Sequence, residues 1–412
     1  MDSSHEASAR HTGDPPSKQK GTNMSQIFDD GDEATVPFPI AIVGVAMRLP
    51  GGITSGTEFW DFLIKKRDGL SKVPDTRYNV DAFYSETRTD AIRTQHGHFL
   101  QHDITKFDAG FFGISKIEAA RLDPQQRLLL EVVWECMENG GQVHWRDGNS
   151  NIGCYVGAFG EDWLDLQGKD PQVNDRYRVI GAEDFALSNL AGTNLIITPT
   201  MTKSMSNNMV ISTSGICRTF DAKADGYGRG EAINAIFIKP LQDALRDEDP
   251  IRAVIRSTAV NCDGKTPNIT TPGLEAQEQL IRRAYQRAKI NNDGILQTGF
   301  FECHGTGTTV GDTIETSAVA NVFKESGIYI GAVKPNVGHS EGASGITSVI
   351  KGVLALENKA IPPNVHFKDP NPNIPFKEGK LQVPMETIPW PIERCKRVSI
   401  NSFGIGGTNA HV

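Results

Sequence analysis

The sequence has no apolar run that approaches the roughly 20 residues needed to cross a bilayer. It has no surplus of positive charge either: the net charge is −8, which disfavours nucleic acid and anionic membranes as partners. Its cysteines include no C-x-x-C pair, so neither a zinc site nor a disulfide framework is expected. The N-terminus lacks the apolar stretch of a secretory signal. These absences predict a cytoplasmic globular protein that binds no nucleic acid, membrane or metal.

The chain divides into two regions of different composition. Residues 1–36 are polar and aperiodic, which predicts a disordered N-terminal tail. Order is expected from residue 37 onward, with Ile40 to Val45 as a first buried strand. Later, Asp123 and Pro124 are typical of a helix start and Gly140 of its end. Strands alternate with helices in two similar halves, which predicts an internally duplicated α/β fold with a largely parallel sheet.

Two histidines each follow a predicted strand. His304 stands in FFECHGTGTTVGD, and His339 stands in AVKPNVGHSEGASG shortly after Lys334. The carboxyl ends of strands are where α/β sheets place ligands. Two neutral imidazoles that meet there could donate N–H bonds to a thioester oxygen and stabilise the enolate left when a carboxylate departs. Either histidine alone is more often structural, but the pair, in loops poor in bulky residues, favours a functional site.

A third glycine-rich turn, NSFGIGGTNAH, lies near the end of the sequence at residues 401–411. It can be read as a tight hairpin between apolar strands. It can also be read as a backbone loop that closes over an acyl chain and gives an N–H to an oxyanion site. The sequence leaves both readings open.

The ordered motifs IAIVGVAMRLPGG, DPQQR, FDAKADGYGRGE, ECHGTGTTVGD, KPNVGHSEGASG and NSFGIGGTNAH resemble those of a β-ketoacyl synthase (ketosynthase) domain of a type I iterative polyketide synthase, of the fungal reducing type. The resemblance covers residues 37–412. It implies a thiolase-like α/β fold with two βαβαβαββ halves, at about 37–235 and 236–412. The family extends an acyl chain by decarboxylative Claisen condensation with a malonyl thioester.

The resemblance also assigns roles to residues. It makes His304 and His339 catalytic, supported by Lys334 and Glu341. The remaining assignments are substrate contacts, at Thr306, Thr308, Ile405 and Gly406. The implied partners are an acyl carrier protein, whose phosphopantetheine arm carries the substrates, and other polyketide synthase domains; no bound cofactor is implied. The family forms homodimers.

The family's cysteine nucleophile is missing from this sequence. It should lie between the helix predicted in EDFALSN and the strand predicted in TNLIITP, but these two are joined at residues 189–192. The N-terminal half is therefore expected to be incomplete, with an unpaired sheet edge, and the chain to be unstable and without condensing activity. Cys303 adjoins His304 but should face away from it. Cys136 and Cys154 are expected in the core.

Other readings remain open. GHSEG matches the G-x-S-x-G nucleophile elbow, so Ser340 could serve a serine hydrolase with His366 or His411 as base. The chain could instead be a non-catalytic remnant that binds a carrier protein or a synthase partner. HGHFLQH, residues 96–102, is expected to be a solvated loop and not a metal site. The sequence stops at NAHV, where a synthase would continue, which predicts a truncated chain.

Overall fold

The computed structural model describes residues 38–142, 145, 152–169 and 190–412. Three parts of the sequence analysed above lie outside these ranges: the predicted tail at residues 1–36, the predicted helix in EDFALSN, and Asn189. Residues 37–412 form a single compact unit. Within the described residues, no helix is both long and apolar enough to span a bilayer.

The strands are β1 (Ile40–Arg48), β2 (Leu70–Lys72), β3 (His96–His98), β4 (Tyr155–Gly157), β5 (Leu190–Asn194), β6 (Ala232–Pro240), β7 (Ala253–Ile255), β8 (Ala259–Cys262), β9 (Thr298–Glu302), β10 (Ile328–Gly331), β11 (Ala360–Ile361), β12 (Leu381–Gln382), β13 (Ile388–Pro389), β14 (Cys395–Phe403) and β15 (Thr408–His411).

The helices are α1 (Gly56–Ile64), α2 (Lys116–Arg121), α3 (Pro124–Asn139), α4 (Asp162–Gly168), α5 (Thr200–Asn207), α6 (Leu241–Arg246), α7 (Leu274–Arg287), α8 (Asn292–Ile295), α9 (Thr309–Phe323), α10 (Lys334–Val337) and α11 (Ser344–Glu357). Short 3₁₀ turns cover Val80–Ala82 and Glu341–Ala343.

Helices separate and cover two main sheets. The first sheet has the order β4-β5-β6-β1-β7, and the second β12-β10-β9-β14-β15-β8. Apolar side chains of α3 pack on one face of the first sheet, and those of α1 and α11 pack on its other face. Helix α11 also contacts β14, while α7 and α9 cover the far side of the second sheet. The result is five layers, helix–sheet–helix–sheet–helix, as the resemblance implies.

The two sheets repeat one topology. Strands β1, β4, β5 and β6 have the same order and the same directions in the first sheet as β8, β9, β14 and β15 in the second. This confirms the predicted internal duplication. Strand β10 lies parallel to β9. Among the described residues, no strand occupies the corresponding place beside β4.

The prediction of a largely parallel sheet is wrong. In the first sheet only β4 and β5 run parallel, and the second sheet combines parallel and antiparallel pairs. A run of apolar residues shows that a strand is buried but not which way it runs. The turn at residues 404–407 joins β14 to β15 as a hairpin, and so short a connection permits only antiparallel neighbours.

Local sequence signals set the helix boundaries. The side chain of Asp123 accepts a hydrogen bond from the Gln125 N–H at the start of α3, Pro124 takes the first helical position, and Gly140 is the C-cap. Each of these was predicted. The strand predicted in TNLIITP begins earlier, at Leu190, and ends at Asn194.

Two further expectations are wrong. Cys136 is buried as predicted, but Cys154 is exposed, because it lies in the loop before the edge strand β4. In the predicted solvated loop, His98 is fully buried in β3, and its Nε2 lies 3.0 Å from Oδ1 of Asp68. The other carboxylate oxygen of Asp68 lies 2.7 Å from Nε2 of His366. The paired carboxylate compensates for the burial of this histidine.

Candidate functional site

A cavity of about 560 Å³ opens near the ends of β9 and β14 and is walled by both halves of the chain. The predicted site residues that line it are His304, His339, Thr306, Thr308, Glu341 and Ile405. Gly406 is not among the lining residues, although its neighbours Ile405 and Gly407 are. The cavity is also lined by four residues for which no role was predicted: Phe159, Tyr227, Ile269 and Phe403. Tyr227 lies within the motif DGYGRGE, which was a signal of its position.

His304 is held by its backbone and by one ring nitrogen. It follows β9, and its backbone N–H donates to Glu315 Oε1 at 2.7 Å. The backbone N–H of Phe403, at the end of β14, donates to Nδ1 of the His304 ring at 3.2 Å. The ring is therefore fixed between two neighbouring strands of the second sheet.

A buried polar chain supports this loop from below. Glu315 in α9 also accepts hydrogen bonds from the N–H of Gly305 and from Nδ2 of Asn401. Oδ1 of Asn401 is then the acceptor for Nδ1–H of His411, at 2.7 Å. Burial raises the pKa of Glu315. These bonds tie α9, β14 and β15 to the backbone at His304.

His339 is positioned by contacts with the first half of the chain. Its backbone N–H donates to the carbonyl oxygen of Gly228, and its carbonyl oxygen accepts from the N–H of Gly230. The backbone N–H of Glu341 donates to Nδ1 of the His339 ring at 3.0 Å. The ring centroids of His339 and His304 are 5.4 Å apart, with the rings nearly perpendicular.

Both imidazoles are neutral donors in this arrangement. Burial, and then the positive charge of Lys334, lower the pKa of His304 and of His339 well below 6.5. Each Nδ1 accepts a backbone N–H, so the ring proton of each neutral histidine must reside on Nε2. Among the described residues neither Nε2 has a hydrogen-bond partner. The cavity thus presents two N–H donors to a ligand, the arrangement that stabilises a thioester enolate.

Glu341 supports His339 from a strained position. It has a positive φ of 42°, its carboxylate accepts a hydrogen bond from the hydroxyl of Tyr227, and it lies 3.6 Å from Arg229 Nε. Burial raises the pKa of Glu341. The ring of Tyr227 in turn contacts the ring of His339, with centroids 4.8 Å apart. Backbone strain held by such contacts is common at functional sites.

No cysteine lines the described cavity. Cys217 is fully buried, and burial raises its pKa to about 12. Burial followed by the charge of Glu315 raises the pKa of Cys303 well above 9, and burial raises that of Cys136 to about 12. Cysteine reactivity requires the thiolate, so none of these buried thiols is activated. The remaining cysteines, Cys154, Cys262 and Cys395, are exposed outside the cavity.

In the structure, Ser340 and its two proposed bases have other hydrogen-bond partners. Ser340 is buried, and its Oγ lies 3.5 Å from Oγ1 of Thr347. His366 is bound to Asp68 and His411 to Asn401. A hydrolase requires the base within hydrogen-bond reach of the nucleophile, so this geometry does not favour the hydrolase reading. Fluorophosphonate labelling that disappears in Ser340→Ala remains the test of that reading.

Models of one protein family match most of this chain. The "Beta-ketoacyl synthase, N-terminal domain" model matches residues 38–192 and 180–244, in two stretches that overlap. The "Beta-ketoacyl synthase, C-terminal domain" model matches residues 252–368, and the "Ketoacyl-synthetase C-terminal extension" model matches residues 370–412.

Relatives with these domains are much longer. The highly reducing polyketide synthase gloL of Glarea lozoyensis is 52% identical over 436 residues, covering 94% of this chain and 17% of that protein. The highly reducing polyketide synthase lcsB of Purpureocillium lilacinum is 55% identical over 390 residues, covering 91% of this chain and 15% of that protein. The chain thus spans about a sixth of the length of these relatives.

Solved structures share the fold. The ketosynthase domain OzmH KS7 from Streptomyces albus superposes with a TM-score of 0.80 at 28% identity, over 90% of this chain and 74% of that one. The ketosynthase from module 6 of the bacillaene synthase of Bacillus subtilis gives a TM-score of 0.78 at 30% identity, over 90% and 71%. The fold is therefore thiolase-like, as the sequence predicted.

Proposed function

This chain belongs to the β-ketoacyl synthase family, and from that premise we propose that it is a polyketide synthase ketosynthase that binds a thioester in the two-histidine cavity but does not condense acyl chains. One observation carries the proposal: His304 and His339 line the cavity as neutral donors, whereas no cysteine among the described residues lines it. Condensation needs both the histidines and a cysteine. The histidines polarise one thioester, and a thiolate must hold the acyl group with which that thioester reacts.

The repeated topology supports the absence of the nucleophile segment. In the second half, β10 leads through α10 to His339 and then to α11. The equivalent strand beside β4, and the helix that would follow it, have no counterpart among the described residues. The two family-model matches overlap at residues 180–192, a range that contains the predicted join at residues 189–192. We propose that a strand and the helix with the acyl-accepting cysteine are missing there.

The remaining residues define what the cavity can bind. The Nε2–H groups of His304 and His339 would hold the carbonyl oxygen of a thioester. The hydroxyls of Thr306 and Thr308, 3.0 Å apart on the cavity wall, would contact a phosphopantetheine arm. Ile405 is 69% exposed at the glycine-rich turn, where it would close over the acyl group. Lys334 and Glu341 are positioning residues in this proposal.

The partners follow from the same chemistry. A thioester on a phosphopantetheine arm implies an acyl carrier protein in trans, and the long relatives imply other polyketide synthase domains. We do not expect the family homodimer here, because β4 has no described partner strand on its outer edge. We expect the chain to act in the cytoplasm and to hold no bound cofactor.

Two measurements on the purified chain test the proposal. In the first, the chain is incubated with hexanoyl-pantetheine and malonyl-pantetheine, and its intact mass and the 3-oxo product are monitored. We expect no acyl adduct and no product; an adduct on any cysteine, or product formation, would refute the proposal. In the second, malonyl-pantetheine is titrated against the chain, and binding should weaken at least tenfold in His304→Ala and His339→Ala. Thr87→Ala, an exposed residue outside the cavity, serves as control.

A further inference from the structure

The carboxylate of Asp68 does not line the cavity, but it joins two histidines from distant parts of the chain. Nε2 of His98, in β3, lies 3.0 Å from its Oδ1, and Nε2 of His366, in the loop after β11, lies 2.7 Å from its Oδ2. Oδ1 also accepts the backbone N–H of Leu70 at 2.8 Å. Burial acts to raise the pKa of Asp68, but hydrogen bonds from His366 and His98 outweigh burial and hold that pKa well below its ordinary value. The ionised carboxylate only accepts hydrogen bonds, so both rings donate from Nε2–H.

The backbone on either side of Asp68 binds helix α10, which leads into His339. The backbone N–H of Gly69 donates to the carbonyl oxygen of Asn336 at 2.9 Å, and Nδ2 of Asn336 donates to the carbonyl oxygen of Arg67 at 2.8 Å. Helix α10 has only four residues, and so short a helix has no stability of its own. Its position therefore depends on contacts such as these two hydrogen bonds.

The ring of His98 packs against the residue immediately before His339. A Cβ placed on Gly338 would lie 2.7 Å from Nδ1 of His98 and 3.0 Å from the carbonyl oxygen of Arg229. Nδ1 of His98 is buried and has no hydrogen-bond partner among the described residues. Because the Asp68 carboxylate keeps the ring proton on Nε2, the nitrogen beside Gly338 carries no hydrogen, which permits this close approach.

Two features of the cluster exceed what a structural contact requires. His366 has a φ of 57°, a left-handed conformation that histidine adopts uncommonly. The buried Nδ1 of His98 lacks a described partner, which is costly in the interior. Apolar side chains at these two positions would fill the same space without a buried charge. Strained and unsatisfied groups that their surroundings hold in place are concentrated at functional sites.

We propose that Asp68 is a positioning residue of the thioester site: through the ring of His98 and the backbone of residues 67–69, it sets where the ring of His339 lies in the cavity. Asp68 itself does not touch the ligand. The effect on thioester binding rests on the proposed function, whereas the effect on the ring of His339 requires no ligand.

Two substitutions of Asp68 in the intact chain test this role. Asp68→Ala removes the acceptor of both rings, and we expect the His339 ring signals in ¹H–¹⁵N spectra to shift and malonyl-pantetheine binding to weaken about tenfold. In Asp68→Asn the amide oxygen replaces Oδ1 beside His98 and Leu70, and the amide N–H faces His366. We expect His366 to move its proton to Nδ1 and His98 to keep the Nε2–H form. The His339 signals should stay in place, and binding should stay within about twofold of the parent chain.

Tyr285→Phe is the control for a loss of stability alone. The hydroxyl of Tyr285 lies 2.7 Å from Oγ1 of Thr298 and 2.6 Å from Oγ of Ser399, and Tyr285 does not line the cavity. Its removal breaks buried hydrogen bonds, so Tm should fall while the His339 signals and binding stay unchanged. Equal shifts of the His339 signals in Tyr285→Phe and Asp68→Ala would overturn the proposal, as would unchanged signals in Asp68→Ala.

If Asp68→Ala does not fold, substitutions of His366 decide the question, because the side chain of His366 is 29% exposed. His366→Gln keeps an N–H donor for the carboxylate and His366→Ala does not, while both carry the same backbone strain. We expect His366→Ala to shift the His339 signals and His366→Gln to leave them near their parent positions. Equal shifts in this pair would refute the positioning role.

Binding data separate this inference from the proposed function. If His304→Ala and His339→Ala leave malonyl-pantetheine binding unchanged, the thioester site is refuted, and the positioning of His339 is decided by its NMR signals alone. If those two variants weaken binding, but Asp68→Ala changes neither binding nor the His339 signals, only the positioning role is refuted.

Discussion

The ammonium nitrogen Nζ of Lys334 donates a hydrogen bond to the backbone carbonyl oxygen of His304 across 2.5 Å. Lys334 is 1% exposed, so its charge acts in a region from which water is largely excluded. After burial, this charge is the largest cause that lowers the pKa of both His304 and His339. One lysine therefore holds the loop of one histidine and, after burial, does most to lower the pKa of both histidines.

Replacing this charge tests that role. In Lys334→Met, we expect the pKa values of His304 and His339 to rise while remaining below 6.5, because burial continues to disfavour the imidazolium. We also expect a loss of stability of about 3 kcal/mol, since a buried cation is removed from nearby carboxylates. The pKa values are measured by NMR titration and the stability by urea unfolding.

Lys351→Met is the matched control. Lys351 is also 1% exposed and lies 2.6 Å from Glu302, so its loss should destabilise the chain by a similar amount. Its charge does not contribute to the pKa of either cavity histidine. Equal histidine pKa shifts in the two variants would show that Lys334 acts only through stability.

The tautomers of the two histidines give a second prediction. Because each Nδ1 accepts a backbone N–H, long-range ¹H–¹⁵N spectra should show the Nε2–H form for His304 and His339 throughout pH 6–8. His304→Ala and His339→Ala assign the signals. A Nδ1–H signal, or titration with a midpoint near 6.5, would contradict the donor arrangement in the cavity.

Sequence patterns could locate the histidines but not their supports. His304 and His339 were predicted from short motifs, in which the ring, the small residues and the strand are adjacent along the chain. Glu315, Asn401 and His411 form their buried chain across three elements, and the contact between Asn401 and Glu315 joins residues 86 positions apart. No local periodicity encodes such a contact.

The fold shows the same division. The start of α3 at Asp123 and Pro124 was predictable, because a cap and a proline act through the backbone of their own turn. The direction of the strands was not predictable, since a strand that is buried on both faces has the same apolar run whichever way it runs. Gly406 illustrates the limit within a motif: the turn was correctly located, but which of its residues line the cavity depends on the backbone path between β14 and β15.

A third prediction concerns Gly192, in β5. A Cβ there would lie 2.7 Å from Cα of Ala343 and 2.8 Å from the carbonyl oxygen of Gly342, both backbone atoms of the turn after His339. We expect Gly192→Ala to destabilise the chain by about 2 kcal/mol and to perturb the NMR signals of His339. In the control Gly153→Ala, the nearest atom is a side-chain carbon of Tyr155 at 3.7 Å, and neither change is expected.

The pH dependence of stability gives a fourth prediction. Burial lowers the pKa of His411 to about 3, so the unfolded chain binds a proton below pH 6.5 that the folded chain does not. Above pH 6.5, His411 does not change the free energy of unfolding with pH. Below pH 6.5, the free energy of unfolding falls by about 1.4 kcal/mol for each pH unit. Between pH 6.5 and pH 5 the parent chain should lose about 2 kcal/mol more than His411→Asn, whose amide can still donate to Asn401. Equal losses in urea unfolding at the two pH values would contradict a neutral, buried His411.

The last prediction concerns the open edge of the first sheet. Tyr155 in β4 is 70% exposed, and β4 pairs only with β5 among the described strands. An unpaired strand edge with an exposed aromatic residue promotes pairing between chains, which a lysine opposes. We expect Tyr155→Lys to reduce self-association in light scattering at 50 µM by about threefold or more.

Ile392→Lys is the control, because Ile392 is fully exposed but lies outside any strand. If the two substitutions reduce self-association equally, general hydrophobicity and not the edge of β4 drives it. If only Tyr155→Lys acts, the edge of β4 that has no described partner strand is the surface through which copies of this chain associate.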